Sequence, residues 1–330
     1  MDPRSFRRTA AAVVALAAVA LAAAQPSLPP PPGRLVDVGG RSLHVYCVGE
    51  GSPTVVLEAG LGDGSIGFRS LQSRVAGFTR VCAYDRAGYG WSDPADDGRD
   101  LAAVVADLEA LLSGAGEPGP YVLAGHSFGG LVAVAFAHVR PQDVAGVVLI
   151  DSSHPEQMAA LAAVPEIVEL QRAEIEGLAG VVDMAEQGTL TPDIVRPNAP
   201  PDLRPDLQDA WARLFVQPKQ LRAAVAEFAA IDDSFTQAGA AMDLGDTPVI
   251  VLSRGLGLDA QLPAEALAQL GLTPEVLARF DATWDDLQAD LVTVSTDAKR
   301  VVAERGTHYV YRDQPALVAA AIRELVREAR

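Results

Sequence analysis

Tyr121-Val122-Leu123-Ala124-Gly125-His126-Ser127-Phe128-Gly129-Gly130-Leu131-Val132-Ala133-Val134-Ala135 is the stretch of this chain that decides its architecture. Residues 121–124 are an apolar run of strand length, and the apolar segment that follows at 131–137 fits a helix. Between them lies Gly125-x-Ser127-x-Gly129. A strand that turns sharply into a helix needs glycines flanking the turn, and that turn lifts the central hydroxyl above the sheet edge. In a chain with 29 glycines the pentapeptide alone is weak. Its position between a strand and a helix makes it specific, and it marks Ser127 as the candidate nucleophile. The plainer alternative is a glycine turn carrying a surface serine.

Outward from this turn, short apolar runs alternate with helical patterns. Strands are expected at 35–38, 43–48, 54–59, 80–84, 121–125 and 144–151, and helices at 68–76, 101–112 and 131–139. Gly39-Gly40 and residues 49–53 punctuate the first strands, which suggests an antiparallel start before the crossovers begin. The later strands should be parallel, so the fold class is α/β, a doubly wound and mostly parallel sheet. Residues 155–245 contain no convincing strand but carry amphipathic stretches at 167–178 and 207–231, the pattern of an inserted helical cap. Strand patterns resume at 248–253 and 300–303, and a helix at 314–328 closes the chain. A smaller excursion at 256–280 has Pro263 and Pro274 each placed to open a short helix. The organisation expected is therefore a core of 34–154 and 246–330 with a cap of 155–245.

The first residues stand apart. Arg4, Arg7 and Arg8 precede an unbroken apolar run at 10–24 that ends in Ala22-Ala23-Ala24. The run is shorter than the roughly 20 residues that span a bilayer, so residues 1–24 read as a cleaved export signal. A membrane tether formed by the uncleaved segment is the alternative. Residues 25–33, with Pro26 and Pro29 through Pro32, should be an extended tether, and the domain should begin near Gly33.

Composition narrows the function. The chain has 330 residues, 49% of them apolar, and a formal charge of −17, which repels a phosphate backbone over most of the surface. Nucleic acid is not an expected partner. Two cysteines are too few for a disulfide framework, and no close Cys/His set suits a structural metal.

A serine hydroxyl needs a base. Of the five histidines, His44 lies in an early strand, His126 inside the turn, His138 at a helix end and His154 after the sixth strand. His308 differs: Gly306-Thr307-His308 follows the last strand and precedes the last helix, on a loop at the same sheet edge as Ser127. It is the candidate base. A carboxylate must accept its other ring N–H, and two are placed to do so, Asp151 at the end of the sixth strand and Asp259 after the seventh.

From residue 33 onward the chain resembles the α/β-hydrolase fold family. Besides the serine turn, residues 55–62 (VVLEAGLG) sit where the family has its oxyanion strand and loop. Residues 84–92 (YDRAGYGWS) look like its Asp-x-Arg-x-x-Gly-x-Ser stretch, and Gly306-Thr307-His308 with Asp313-Gln314-Pro315 resembles its terminal histidine loop. The resemblance implies a serine hydrolase of the esterase, lipase or aminopeptidase kind, with Ser127 and His308 as nucleophile and base and the Phe128 and Leu61 amides as oxyanion donors. It places the acid most often after the later strand, at Asp259, but some members carry it after the earlier one. The long Gly255-Leu256-Gly257-Leu258 approach to Asp259 tips the choice toward Asp151. Ala59-Gly60 replaces the family's usual His-Gly, which a backbone donor tolerates. Asp85 and Arg86 read as organisers of a loop rather than reactants.

The resemblance also makes the strands bearing Cys47 and Cys82 neighbours, so an exported chain could pair them. Closing that loop contributes on the order of 3 to 4 kcal/mol. The expectation is thus an exported, periplasmic or extracellular hydrolase acting on a small-molecule acyl substrate, most simply a carboxylic ester, without a cofactor. The alternatives are an aminopeptidase or amidase of the same fold, and a noncatalytic binding protein on it. Serine at the turn argues against the dehalogenases and epoxide hydrolases of this fold, which use aspartate there. Trp211, Leu214, Phe215 and Phe228 are candidate pocket walls or internal packing of the cap. Nothing in the residues selects an oligomeric state.

Overall fold

The computed structural model describes residues 28–95 and 98–330, so the expected export signal lies outside the described residues. Eight strands form one sheet: β1 (Arg34–Asp37), β2 (Ser42–Val48), β3 (Thr54–Glu58), β4 (Val81–Tyr84), β5 (Tyr121–His126), β6 (Val144–Ile150), β7 (Val249–Arg254) and β8 (Ala298–Ala303). Their order is β1-β2-β4-β3-β5-β6-β7-β8. Pairing of β1 with β2 and of β2 with β4 is antiparallel, and every other pair is parallel. The middle strands are covered on both faces, which is why β3, β5 and β6 read as continuous apolar runs rather than alternating ones.

One face packs against the helices Leu101–Ala115 and Phe128–Val139, through residues such as Leu108, Leu111, Leu131 and Phe136. The other is covered by Arg69–Val75 and Pro315–Glu328, through Leu71, Val75, Ile322 and Val326. The Cys47 and Cys82 positions are directly opposed in the β2–β4 ladder, and the two residues form a disulfide.

Three features depart from the sequence reading. The amphipathic stretch at 207–231 is two helices, Pro205–Phe215 and Pro218–Ala229. Pro218 has no N–H to donate into a continuing helix and its ring collides with the preceding turn, so it starts a new one. The helix opened by Pro274 is not short but runs for 17 residues, Pro274–Asp290, and it packs with the first helical insertion. Leu272, Leu277, Phe280 and Leu287 from it share an apolar cluster with Leu161, Val164 and Ile167 of the first insertion.

The proline segment is not a free tether. Trp91 Nε1 donates to the Pro29 carbonyl at 2.8 Å, and the His44 ring bonds the Pro32 carbonyl. Leu28 packs with Ile66, Trp91, Leu203 and Leu214. Prolines lack donors, but their carbonyls remain strong acceptors, and here they satisfy two ring N–H groups of the core. Ordered structure thus begins before Gly33. Among the described residues no helix is long and apolar enough to cross a membrane.

Candidate active site

Ser127 sits at the junction of β5 and the helix Phe128–Val139 with φ 53° and ψ −125°, outside the ordinary right-handed regions. The flanking glycines are there for lack of space. A Cβ on Gly125 would lie 2.2 Å from the Gly129 carbonyl oxygen, and one on Gly129 would lie 2.5 Å from that of Glu58. The strand-to-helix turn therefore closes only with glycine at both places, and it leaves Ser127 at the carboxyl edge of the sheet with Phe128 N–H at the helix start.

The histidine loop comes to the same edge. Thr307 N–H and Oγ both donate to Asp313 Oδ2, at 2.7 and 2.6 Å, and close the loop. The His126 ring nitrogen Nε2 donates to the His308 carbonyl at 2.9 Å, and the two rings lie 4.6 Å apart. Burial drives the His126 pKa well below the usual imidazole range, with His308 adding to it, so the ring is neutral and its Nε2 carries the proton that is donated. The sequence reading singles out His308 and leaves His126 with the other three histidines; in the fold His126 anchors the backbone of His308.

His308 Nδ1 is 2.6 Å from Asp151 Oδ2. Asp151 ends β6 with φ 41°, a left-handed conformation that aspartate accepts more readily than most residues. Burial pushes its carboxyl up, but the His308 hydrogen bond and charge and the nearby Arg254 outweigh that and hold it below the usual carboxylate range. Asp259, the alternative acid, is instead exposed on the short turn Leu258–Ala260. After β7 the chain is tied to the end of β8 and the loop beyond it, Gly255 N–H bonding the Ala303 carbonyl and Leu256 N–H the Gly306 carbonyl, and the carboxylate that meets His308 there is Asp151.

The loop after β3 lies against the serine turn: a Cβ on Gly60 would come within 3.3 Å of Ser127 Cβ. That brings Leu61, the other expected oxyanion donor, close to Ser127. Arg86 holds this loop, donating to the carbonyls of Ala59 at 2.6 Å and Gly60 at 3.0 Å. Tyr89 Oη accepts from Gly62 N–H at 3.3 Å, and Gln220 of the first helical insertion donates to the Gly62 carbonyl at 3.3 Å. Asp85 organises the following loop, accepting from Ser65 N–H, Trp91 N–H and the His44 ring. The sequence reading of Asp85 and Arg86 as organisers agrees with these bonds.

What the sequence did not indicate is Glu227. Fully buried on the helix Pro218–Ala229 of the first insertion, it bonds Arg86, Arg99 and Tyr89. The Arg86 and Arg99 charges outweigh the desolvation of its carboxyl and keep it below the usual range. Glu58, alongside, has one tyrosine donor at 2.6 Å and Arg86 only at 3.6 Å, so burial dominates and pushes it up to about 7. Of the candidate pocket walls, Trp211 and Phe215 stack on each other at 5.0 Å within the cap, and Trp211 and Leu214 also contact the cluster of Ile66 and Trp91.

The geometry has counterparts among known proteins. The chain is 32% identical over 127 residues to the uncharacterized protein YbdG of Bacillus subtilis, covering 38% of this chain and 39% of that one. It is 36% identical over 110 residues to the lipase LipV of Mycobacterium tuberculosis, covering 30% of this chain and 40% of that one. These matches thus span about two fifths of either relative. In three dimensions it resembles the epoxide hydrolase CorEH, with a TM-score of 0.65 and 19% identity, over 90% of this chain and 99% of that one; at that identity the likeness speaks for the fold alone. The profile of the alpha/beta hydrolase family matches residues 55–321, and the chain belongs to that family.

Proposed function

We propose that this protein is an exported serine hydrolase that cleaves an acyl bond, most simply a carboxylic ester, through an acyl-enzyme. The observation that carries the reading is the 2.6 Å bond from His308 Nδ1 to the buried Asp151 carboxylate, beside a serine on a strained turn. With Nδ1 so engaged, Nε2 is the ring nitrogen left for the Ser127 hydroxyl.

Ser127 Oγ attacks the acyl carbon while Nε2 takes its proton, and Asp151 stabilises the imidazolium that results. Negative charge develops on the carbonyl oxygen, and the Phe128 and Leu61 N–H groups are the donors assigned to it. Both belong to backbone held in place, Phe128 by the helix and Leu61 by a loop clamped through Arg86, so little reorganisation accompanies the reaction. The tetrahedral species collapses as the alkoxide leaves with the proton from Nε2. Water then repeats the sequence on the acyl-serine and frees the acid. Each step uses side chains and backbone of this chain alone. LipV, a lipase by name, supports the choice of ester over the other acyl substrates. Export rests on the pattern of residues 4–24.

The test is covalent labelling. Incubation with a fluorophosphonate, followed by peptide mass spectrometry, should place the adduct on Ser127 and lose it in Ser127→Ala and His308→Ala. Nitrophenyl esters and aminoacyl amides then divide esterase from amidase or aminopeptidase. A wild-type protein that stays unlabelled while a known serine hydrolase labels beside it overturns the reading in favour of a noncatalytic binding protein.

A further inference from the structure

Asp151 is held by more than His308. Its Oδ1 accepts from Arg254 N–H at 3.0 Å and from the indole Nε1 of Trp284 at 3.0 Å, while Oδ2 faces the imidazole. A carboxylate bonded at one oxygen can turn about its Cβ–Cγ bond; two donors converging on the other oxygen fix its plane. The Arg254 guanidinium adds a charge 3.6 Å from Oδ2. It also lies 5.2 Å over the Trp284 ring and 5.0 Å over Phe280, and it bonds Asp281 at 3.0 Å.

The indole is therefore clamped between a cation and an apolar cluster, with its one polar atom on the acid. Packing alone does not account for this. Any large apolar side chain would fill the space among Leu277, Phe280 and Leu287, whereas tryptophan also brings a ring N–H that donates and has no acceptor lone pair. Trp284 also meets the His308 ring edge-on at 6.1 Å, so it borders both members of the pair.

We propose that Trp284, backed by Arg254, is a positioning residue that sets the orientation of Asp151 for the reaction described above, and that the second insertion exists in part to deliver it. The proposal rests on the serine-hydrolase reading. It makes the helix Pro274–Asp290 part of the machinery behind His308 as well as part of the cap. Without the indole donor the carboxylate keeps only the Arg254 N–H on Oδ1, and the imidazole that must take the serine proton loses its alignment.

The experiment uses the full chain. Trp284→Phe keeps the ring and removes the donor. Its kcat for a nitrophenyl ester should fall about 10-fold with KM within about twofold, the signature of an interaction that matters in the transition state. The far-downfield proton resonance of the His308–Asp151 hydrogen bond should move or vanish in the same variant, which a residue that merely packs would not cause. Arg254→Met should lose kcat in the same way and Arg254→Lys should recover part of it. This second pair decides the matter should Trp284→Phe fail to fold.

Unchanged kcat with an unmoved resonance, a loss confined to KM, or equal kcat in the two Arg254 variants overturns the proposal. Ser127→Ala and Asp151→Asn run alongside. If both are inactive while Trp284→Phe is fully active, only the role of Trp284 falls; if Ser127→Ala still turns over, the reading beneath it falls instead.

Discussion

Replacing Glu227 with alanine removes a buried cap carboxylate on which the core converges. Its oxygens accept from Arg86 Nε at 2.9 Å, Arg86 Nη2 at 2.9 Å, Arg99 Nη2 at 3.0 Å and Tyr89 Oη at 2.8 Å. Four bonds to an ionised acceptor, at about 1.5 to 3 kcal/mol each, would sum to more than such a substitution costs. The excess is not realised, because Arg86 keeps the carbonyls of Ala59 and Gly60 and Arg99 keeps Asp107 at 3.1 Å. What remains is the cost of two guanidinium groups left buried and short of a counter-charge, about 3 to 5 kcal/mol. Unfolding entropy of about 2 cal/mol/K per residue converts this to a fall of about 5 to 8 °C in melting temperature for a chain of this size. Glu227→Gln, which keeps an acceptor and the volume, should lie between that variant and wild type.

The same substitution should reach the chemistry. Arg86 holds the loop that carries Leu61, so on the proposed mechanism freeing it loosens an assigned oxyanion donor and leaves substrate binding little changed. Outright removal of such a donor costs about 100-fold or more in kcat, and a loosened one should cost about 10-fold with little change in KM. Urea and thermal unfolding followed by circular dichroism, together with ester kinetics, measure both effects. A Glu227→Ala protein that loses less than about 1 kcal/mol, or that loses activity through KM alone, refutes the coupling of cap to oxyanion loop argued from these bonds.

Two further outcomes follow from other parts of the fold. Internal deletion of residues 28–32 removes the acceptors of Trp91 and His44 and should cost about 2 kcal/mol, with tryptophan emission shifting to the red as water reaches the indole; unchanged stability and emission would show that the segment only lies on the surface. Glu58, raised to about 7, holds a proton in the folded chain that the unfolded chain releases near its ordinary value of 4.5, so its contribution to stability falls as pH rises through that window and is level above it. Relative to Glu58→Gln, which has no proton to lose, wild type should decline by up to about 3 kcal/mol across the window, and a constant difference between the two urea curves would contradict the burial of that carboxyl.

Most of the sheet was legible along the chain because the information is local. A strand buried on both faces must be apolar throughout, and residues 121–124 and 144–150 satisfy that wherever they end up. The serine turn was legible for a similar reason: Gly125 answers a collision with Gly129 four residues on, although Gly129 itself answers one with Glu58 on the neighbouring strand. The break at Pro218 within the amphipathic stretch 207–231 was also present in the sequence, since proline does not continue a helix interior. Pairing of Cys47 with Cys82 came from a family resemblance, since nothing local orders the strands that carry them.

By itself, then, the sequence determined the element types, the turn that carries Ser127 and a histidine loop at the matching edge. The long approach to Asp259 had already tipped the acid toward Asp151, but the bond from Asp151 to His308, 157 positions away, exists only in the packed fold. The same holds for Glu227 under the oxyanion loop, Trp284 on the acid, His126 beneath His308, and the proline carbonyls that receive Trp91 and His44. Each is a single polar group whose partner lies on a distant element. Periodicity records which face of an element is buried, whereas the partner of one buried donor or charge exists only once the elements have packed.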